Sequence, residues 1–161
     1  MSFLKNIFGA KRNRQTNPFP TRTLNLKFTI DPENGANFAN QYVNAVKTQD
    51  KIELDYSAVS LDFVDKFLQR FRDEGLTAND FAETIFVCGC YVGEVMARNN
   101  FGKWIKQEDA NLPKGITMAS IVIRLLDGTV CDPVSKAFKR FNNGEVDSVA
   151  YFYQVFATKS N

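Results

Sequence analysis

The stretch from residue 87 to residue 100, VCGCYVGEVMARNN, constrains the fold more than any other part of the chain. Apolar residues recur at three-and-four spacing before it and through it, which predicts a long helix. The residues of this stripe are Phe81, Ile85, Cys88 and Val92. Gly89 and Gly93 are four residues apart on one helical face, and each costs the helix up to about 1 kcal/mol relative to alanine. We therefore predict that another backbone approaches the helix closely at these glycines.

The two cysteines of this stretch are not expected to form a metal or redox site. Successive residues of a helix are about 100° apart, so Cys88 and Cys90 point roughly 200° away from each other. The chain has three cysteines and no histidine, and Cys131 is remote in sequence. We predict that the chain binds no metal and no cofactor, and that the cysteines act as small buried hydrophobic residues.

Length and composition indicate one domain. The chain has 161 residues, of which 44% are hydrophobic and 13% aromatic, with 15 phenylalanines. These values predict a single core rich in phenylalanine. An odd number of cysteines, no apolar run of membrane-spanning length and no secretory signature together predict a soluble, cytoplasmic protein.

The near-neutral total charge of +2 conceals an uneven distribution. Six of the 20 basic residues lie in residues 1–30, which contain no acid, so residues 31–161 hold 14 bases and 18 acids, a balance of about −4. Pro18 and Pro20 interrupt a polar, basic segment without periodicity. We predict a basic N-terminal tail and linker over residues 1–22, followed by one domain over residues 23–161.

Strands are predicted from alternation of apolar and polar residues. LNLKFTI at residues 24–30 and KIELDY at residues 51–56 alternate as half-buried strands do. GKWIK around Trp104 and the Ile- and Val-rich run at residues 116–126 read as two more strands, the second of them central in the sheet. Asp127 and Gly128 predict a hairpin turn into a short strand at residues 129–131.

Helices are predicted from capping signals that precede apolar stripes. The predicted N-cap residues are Asp31, Ser60, Thr77 and Asp132. Asp31 and Asp132 are each followed by proline, which is favoured at the first helical position. Gly75 and Gly144 predict helix ends, and a last helix begins near Val149. The order of elements predicts an α+β fold in which a mainly antiparallel sheet packs against about five helices.

Glu94 is the most conspicuous acid of the long helix. It lies one turn before Arg98, so the two side chains can form an ion pair. Tyr91 and Trp104 are the nearby aromatic residues that could surround this carboxylate. We interpret Tyr91, Glu94, Arg98 and Trp104 as a structural or functional cluster, and a paired structural carboxylate is favoured over a catalytic acid.

The central segment is acidic. Residues 50–83 contain nine acids and four bases, a balance of −5. Such a surface can steer a basic partner, and we predict Asp62, Asp65 and Asp73 as exposed binding residues. Because the chain has no histidine, the Ser-His-Asp and Cys-His arrangements are excluded, and no catalytic residue is predicted.

Three segments of the sequence resemble an uncharacterised bacterial family, domain of unknown function 3806. They are LDYSAVSLDFVDKFL, GCYVGEVMARNNFGKW and DPVSKAFKRFNNGEVDS, within residues 53–156. The matching positions are Leu54 to Ser57, then Gly89, Tyr91, Gly93, Glu94 and Trp104, then Asp132 and Pro133. The resemblance implies a bacterial cytoplasmic protein and assigns no activity.

Three function hypotheses follow. The first is a non-enzymatic protein-binding module with a basic protein partner, for example the immunity protein that neutralises an antibacterial toxin by binding it. The second is an adaptor that contacts a membrane surface or nucleic acid through the basic residues 1–22. The third, ranked last, is an enzyme that uses Glu94. The gene neighbourhood would distinguish the first from the third.

Overall fold

The architecture was obtained from a computed structural model, which describes residues 25–100, 102–116 and 118–157. The predicted basic tail at residues 1–22 lies outside the described residues. The described part contains five α-helices and a three-stranded sheet. The helices are α1 (Gly35–Asp50), α2 (Ser60–Asp73), α3 (Ala82–Asn100), α4 (Pro133–Asn143) and α5 (Val149–Ala157). The strands are β1 (Lys103–Lys106), β2 (Ile121–Arg124) and β3 (Val130–Cys131).

Helix α3 forms the centre of the fold. Every residue from Ile85 to Met96 is buried, so this stretch of the helix is covered on all sides. Helices α1 and α4 make the most extensive contacts with it, and β1 and β2 also pack against it. None of the described helices is long and apolar enough to cross a membrane.

The sheet is antiparallel, with β2 between β1 and β3. Lys103 pairs with Arg124 and Lys106 with Ile121, and the three residues Ile121–Ile123 are buried. The predicted turn at Asp127 and Gly128 connects β2 to β3. The predicted α+β fold with an antiparallel sheet is therefore confirmed, and β2 occupies the predicted central position.

The two glycines of α3 admit different neighbours. A methyl group on Gly89 would lie 2.5 Å from Cα of Val134, so the backbone of α4 touches α3 there, as predicted. At Gly93 the space is filled by the indole ring of Trp104 and by Pro133, and a methyl group would overlap the ring. The prediction of a close backbone approach is thus confirmed at Gly89 and wrong at Gly93, where side chains fill the gap.

Two predicted strands do not form. Residues 25–30 and 51–56 pair with no strand among the described residues; Leu24 lies outside them. Leu54 is buried, and Leu26 and Ile30 pack on the core as partly buried residues. These three apolar residues pack against the helical core, and no neighbouring strand among the described residues pairs with the backbone of their segments. The central strand is also shorter than the predicted run at residues 116–126.

The capping predictions have mixed outcomes. The Asp132 carboxylate accepts a hydrogen bond from the Ser135 N–H at 2.9 Å, as an N-cap does. The Thr77 hydroxyl accepts one from the Asp80 N–H at 3.2 Å, but this bond closes a turn before α3, which begins at Ala82, so Thr77 is not its N-cap. Asp31 makes no such bond. Ser60 does not cap either, because its hydroxyl donates to the Ser57 carbonyl at 2.6 Å.

We expect Gly89→Ala to lower the free energy of unfolding by about 1 to 3 kcal/mol, the cost of overpacking a filled core. The new methyl group would meet a backbone atom of Val134, which moves only with the start of α4. Helix propensity alone would stabilise the variant by up to about 1 kcal/mol. The sign of the change in unfolding free energy therefore shows whether the overlap with Val134 outweighs the gain in helix propensity. Urea unfolding measures it. Ala36→Ser, at an exposed position of α1, is the control, expected within about 0.5 kcal/mol of wild type. A stabilised Gly89→Ala would contradict the contact.

Candidate functional site

Glu94 binds the side chains of Arg98 and Trp104, both of which belong to the predicted cluster. Glu94 is only 8% exposed. Its Oε1 accepts a hydrogen bond from Nε of Arg98 at 3.0 Å, and its Oε2 accepts one from Nε1 of Trp104 at 3.1 Å. Both oxygens are therefore occupied, and the predicted ion pair is confirmed. Glu94 fixes the orientation of an arginine and of the only tryptophan in the chain.

Arg98 lies over the ring of Tyr56. The guanidinium carbon is 3.7 Å from the ring centroid, a close cation–π contact. Half of the Arg98 side chain is exposed, and its two Nη atoms have no partner among the described residues. Tyr56, Tyr91, Glu94, Arg98 and Trp104 are called the Glu94 cluster below. Tyr56 lies in the predicted strand at residues 51–56, which does not form, and it is not one of the four residues of the predicted cluster.

The backbone of Tyr56 is held in an unusual conformation. Its φ of 61° lies in the left-handed region, which is costly for a bulky residue. Its N–H donates to the Tyr91 hydroxyl at 3.0 Å, and its carbonyl accepts from Nδ2 of Asn99 at 3.0 Å. The Tyr91 hydroxyl also lies 2.6 Å from Oγ of Ser60. The side chains of Tyr91 and Asn99 thus hold the loop before α2 on the surface of α3, and the contact of Tyr91 with Ser60 holds the start of α2 beside it.

Burial controls the titration of the aromatic hydroxyls and the thiols. It raises the pKa of Tyr91 and, against the opposing charge of Arg98, that of Tyr56. Burial also raises the pKa of Cys88 and Cys90, and it raises the pKa of Cys131 to about 12. These three thiols are free and buried, and they stay protonated at neutral pH. Within the described ranges, no group of three Cys, Asp or Glu residues is arranged to hold a metal ion.

Asp65 is largely buried, so the prediction that it is exposed is wrong. Its side chain is 15% exposed, and it accepts hydrogen bonds from Nε of Arg140 at 3.0 Å and from Oγ of Ser148 at 2.7 Å. It also accepts from the backbone N–H groups of Val149 and Ala150 at the start of α5. Asp65 therefore caps α5 and pairs with an arginine that is itself only 3% exposed.

The acidic central segment is partly neutralised in the fold. Asp50 pairs with Arg70 inside the segment, whereas Glu53 pairs with Lys47 and Asp65 with Arg140, both from outside it. Counting these two cations changes the balance of −5 to −3. The segment is still acidic, but less so than its sequence indicates.

Asp62 and Asp73 remain exposed on α2, as predicted. They are eleven residues apart, so they lie about 20° apart around the helix and about 16 Å apart along it. Lys66 and Gln69 lie between them on the same side, and Gln69 donates to Asp73 at 2.8 Å. The outer face of α2 is thus a polar stripe with a carboxylate at each end.

Comparison with models of protein families, with curated proteins and with solved structures found no match to this chain. The resemblance to domain of unknown function 3806 therefore stays a prediction. The residues on which it rests are neighbours in the fold: Tyr56 contacts Tyr91, Trp104 fills the space at Gly93, and Pro133 packs beside it.

We expect a double-mutant cycle of Glu94→Gln and Arg98→Met to show a coupling free energy of about 1 kcal/mol. Hydrogen bonds to charged groups contribute roughly 1.5 to 3 kcal/mol, and the half-exposed guanidinium reduces that value. Urea unfolding followed by the fluorescence of Trp104 measures it.

The matched control for that cycle is the ion pair between Lys47 and Glu53, whose side chains are 61% and 76% exposed. A cycle of Lys47→Met and Glu53→Gln should show no measurable coupling. Equal coupling in the two cycles would contradict the assignment of Glu94 as the residue that positions Arg98.

Proposed function

We propose that the chain is a non-enzymatic protein-binding module whose anchor is the stack of Arg98 on Tyr56. The observation that carries the proposal is the geometry of this pair. The Arg98 side chain is half exposed, its guanidinium carbon lies 3.7 Å from the centroid of the Tyr56 ring, and the buried Glu94 carboxylate accepts a hydrogen bond from its Nε. Arginine and tyrosine are enriched among the residues that dominate binding energy at protein interfaces.

The fixed orientation of Arg98 favours binding. An arginine that is free in solution loses rotamer entropy when it enters an interface, about 0.5 to 1.5 kcal/mol for such a side chain. Here Glu94 and Tyr56 already hold the guanidinium before a partner arrives. The Nη donors of Arg98 suit a carbonyl or carboxylate oxygen of the partner, and the planar group can donate two parallel bonds.

Glu94 supports this proposal better than it supports catalysis. A general acid or base needs an oxygen that can reach the reacting group, whereas both oxygens of Glu94 accept bonds from neighbouring side chains. We therefore assign Glu94 the role of a positioning residue for Arg98.

The exposed carboxylates of α2 add a steering role. Asp62 and Asp73 lie at the two ends of one helix face, and rim charges of this kind raise the association rate with a basic partner. Neutralisation of a toxin is one task of such a module, and a toxin-like reading frame beside the gene would assign it.

The test uses the full chain as bait in an extract of its native cells, followed by binding kinetics with the captured partner. Arg98→Lys keeps the charge but loses the planar group, so we expect the dissociation rate to rise about tenfold, equivalent to about 1.4 kcal/mol. Asp62→Lys combined with Asp73→Lys should lower the association rate about tenfold at low salt, and added salt should reduce that difference.

The control is Glu108→Lys combined with Asp109→Lys, the same charge change at two exposed residues outside α2. It should leave both rates near the wild-type values. The proposal would be overturned if no specific partner is captured, or if Arg98→Lys leaves the dissociation rate of the captured partner unchanged. A partner that depends instead on residues 1–22 would favour the adaptor hypothesis.

A further inference from the structure

A groove lined by carboxamides runs between residues 25–28 and the outer face of α1. It encloses about 470 Å³ and is lined by ten residues, six of which carry an amide side chain. These six are Asn25, Asn37, Asn40, Gln41, Asn44 and Gln49. Lys27 is the only charged residue among the ten, and Phe28 contributes a partly exposed ring. Each amide offers two N–H donors and one acceptor oxygen, which are the groups that a peptide backbone needs as partners.

Gln41 carries an unused hydrogen-bond acceptor in this groove. The residue is only 8% exposed, and its Nε2 donates to the carbonyl oxygen of Asn25. Its Oε1 is buried and has no hydrogen-bond partner within the part of the chain that the structure describes. A buried acceptor without a partner costs about 1 to 3 kcal/mol, so a rotation of the Gln41 side chain that brought Oε1 to a ligand N–H in the groove would remove that cost.

Residues 25–28 form a segment without regular secondary structure whose backbone groups could pair with an added strand. The alternation of LNLKFTI is that of a strand, yet no strand pairs with this segment among the described residues. The carbonyl of Asn25 accepts a side-chain bond from Gln41, and no backbone bond links residues 25–28 to another described residue. Unpaired strand edges bind extended peptides through main-chain hydrogen bonds, with side-chain pockets adding specificity.

We propose that this groove binds a short extended segment of a partner protein, which pairs with residues 25–28 while the amides of α1 contact its exposed backbone groups. The proposal rests on the proposed protein-binding function and names a second contact for it. Because Lys27 is the only charged residue among the described residues that line the groove, the segment is neutral or acidic.

The spacing of the polar side chains of α1 sets the length of the segment. Asn37, Gln41, Asn44 and Thr48 follow one another at three or four residues, so they repeat about every 5.4 Å along α1. Alternate residues of a strand repeat about every 6.6 Å. The two repeats stay in register for two or three steps, which corresponds to about four to six residues of peptide.

The test selects random twelve-residue peptides, displayed on phage, on the full chain. The tightest peptide is then synthesised, and its affinity is measured by fluorescence anisotropy. Asn40→Ala combined with Asn44→Ala should weaken binding about tenfold. Asn79→Ala combined with Asn142→Ala, two exposed asparagines outside the groove, should leave it unchanged.

Backbone methylation of the peptide tests the strand geometry directly. A methyl group on one peptide nitrogen removes one donor, and in an added strand only every second N–H faces the backbone with which it pairs. We therefore expect the largest losses of affinity at alternate residues within the central four to six, whose N–H groups pair with the backbone of residues 25–28. Losses at the residues between them should be smaller, because those N–H groups meet only the amide side chains of α1.

The proposal is overturned if no peptide is enriched or if the enriched peptides are rich in Lys and Arg. It is also overturned if the groove variant binds the selected peptide as tightly as the wild type does, or if the effect of methylation does not alternate along the peptide. The two proposals fail separately. A native partner that depends on Arg98 but not on Asn40 and Asn44 would leave the protein-binding function standing without the groove. Peptide binding at the groove in the absence of a native partner that depends on Arg98 would support the groove and leave the Arg98 anchor unsupported.

Discussion

The closeness of α3 to its neighbours at Gly89 and Gly93 is the constraint on which the remaining structure depends. At Gly89 the backbone of α4 lies against α3, and at Gly93 the ring of Trp104 occupies the volume that any side chain would fill. From there the indole N–H reaches the carboxylate of Glu94. The helix gives up some intrinsic stability at each glycine, and in return it packs closely on two sides. A side chain at position 93 would separate Trp104 from Glu94 as well as disturb the core.

The surface site follows from this packing. Glu94 is buried with a bond on each oxygen, and its second partner, Arg98, extends outward over Tyr56. Tyr56 is fixed in turn by the hydroxyl of Tyr91, so the stack is supported from α3 at both of its members. The exposed feature is therefore an arginine and a tyrosine held in one arrangement before binding. Such preorganisation lowers the entropy cost of association.

Features encoded by local chemistry could be predicted from the sequence. The cap at Asp132, the helix end at Gly75 and the ion pair of Glu94 with Arg98 all involve residues at most four positions apart. The false strand at residues 51–56 has a physical reason, because alternation shows that one side of an extended segment is buried and does not show whether a ladder partner exists.

The rest depends on contacts between distant residues. Asp65 meets Arg140 and Val149 across 75 and 84 positions, so its burial is invisible in a pattern of neighbouring charges. The left-handed backbone of Tyr56 likewise depends on Tyr91 and Asn99, which lie 35 and 43 positions away. Four of the five residues of the Glu94 cluster could be named from the sequence, whereas Tyr56, which stacks on Arg98, could not.

Amide hydrogen exchange at Tyr56 tests most directly whether the stack is fixed before binding. Loop amides normally exchange quickly, because open loops protect few N–H groups. The hydrogen bond from the Tyr56 N–H to the Tyr91 hydroxyl predicts slow exchange in the wild type. Tyr91→Phe should restore fast exchange there while amides in the buried part of α3 stay protected. If the Tyr56 amide of the wild type exchanged as fast as that of an unfolded peptide, the loop would not be held and the account of the binding surface would be wrong.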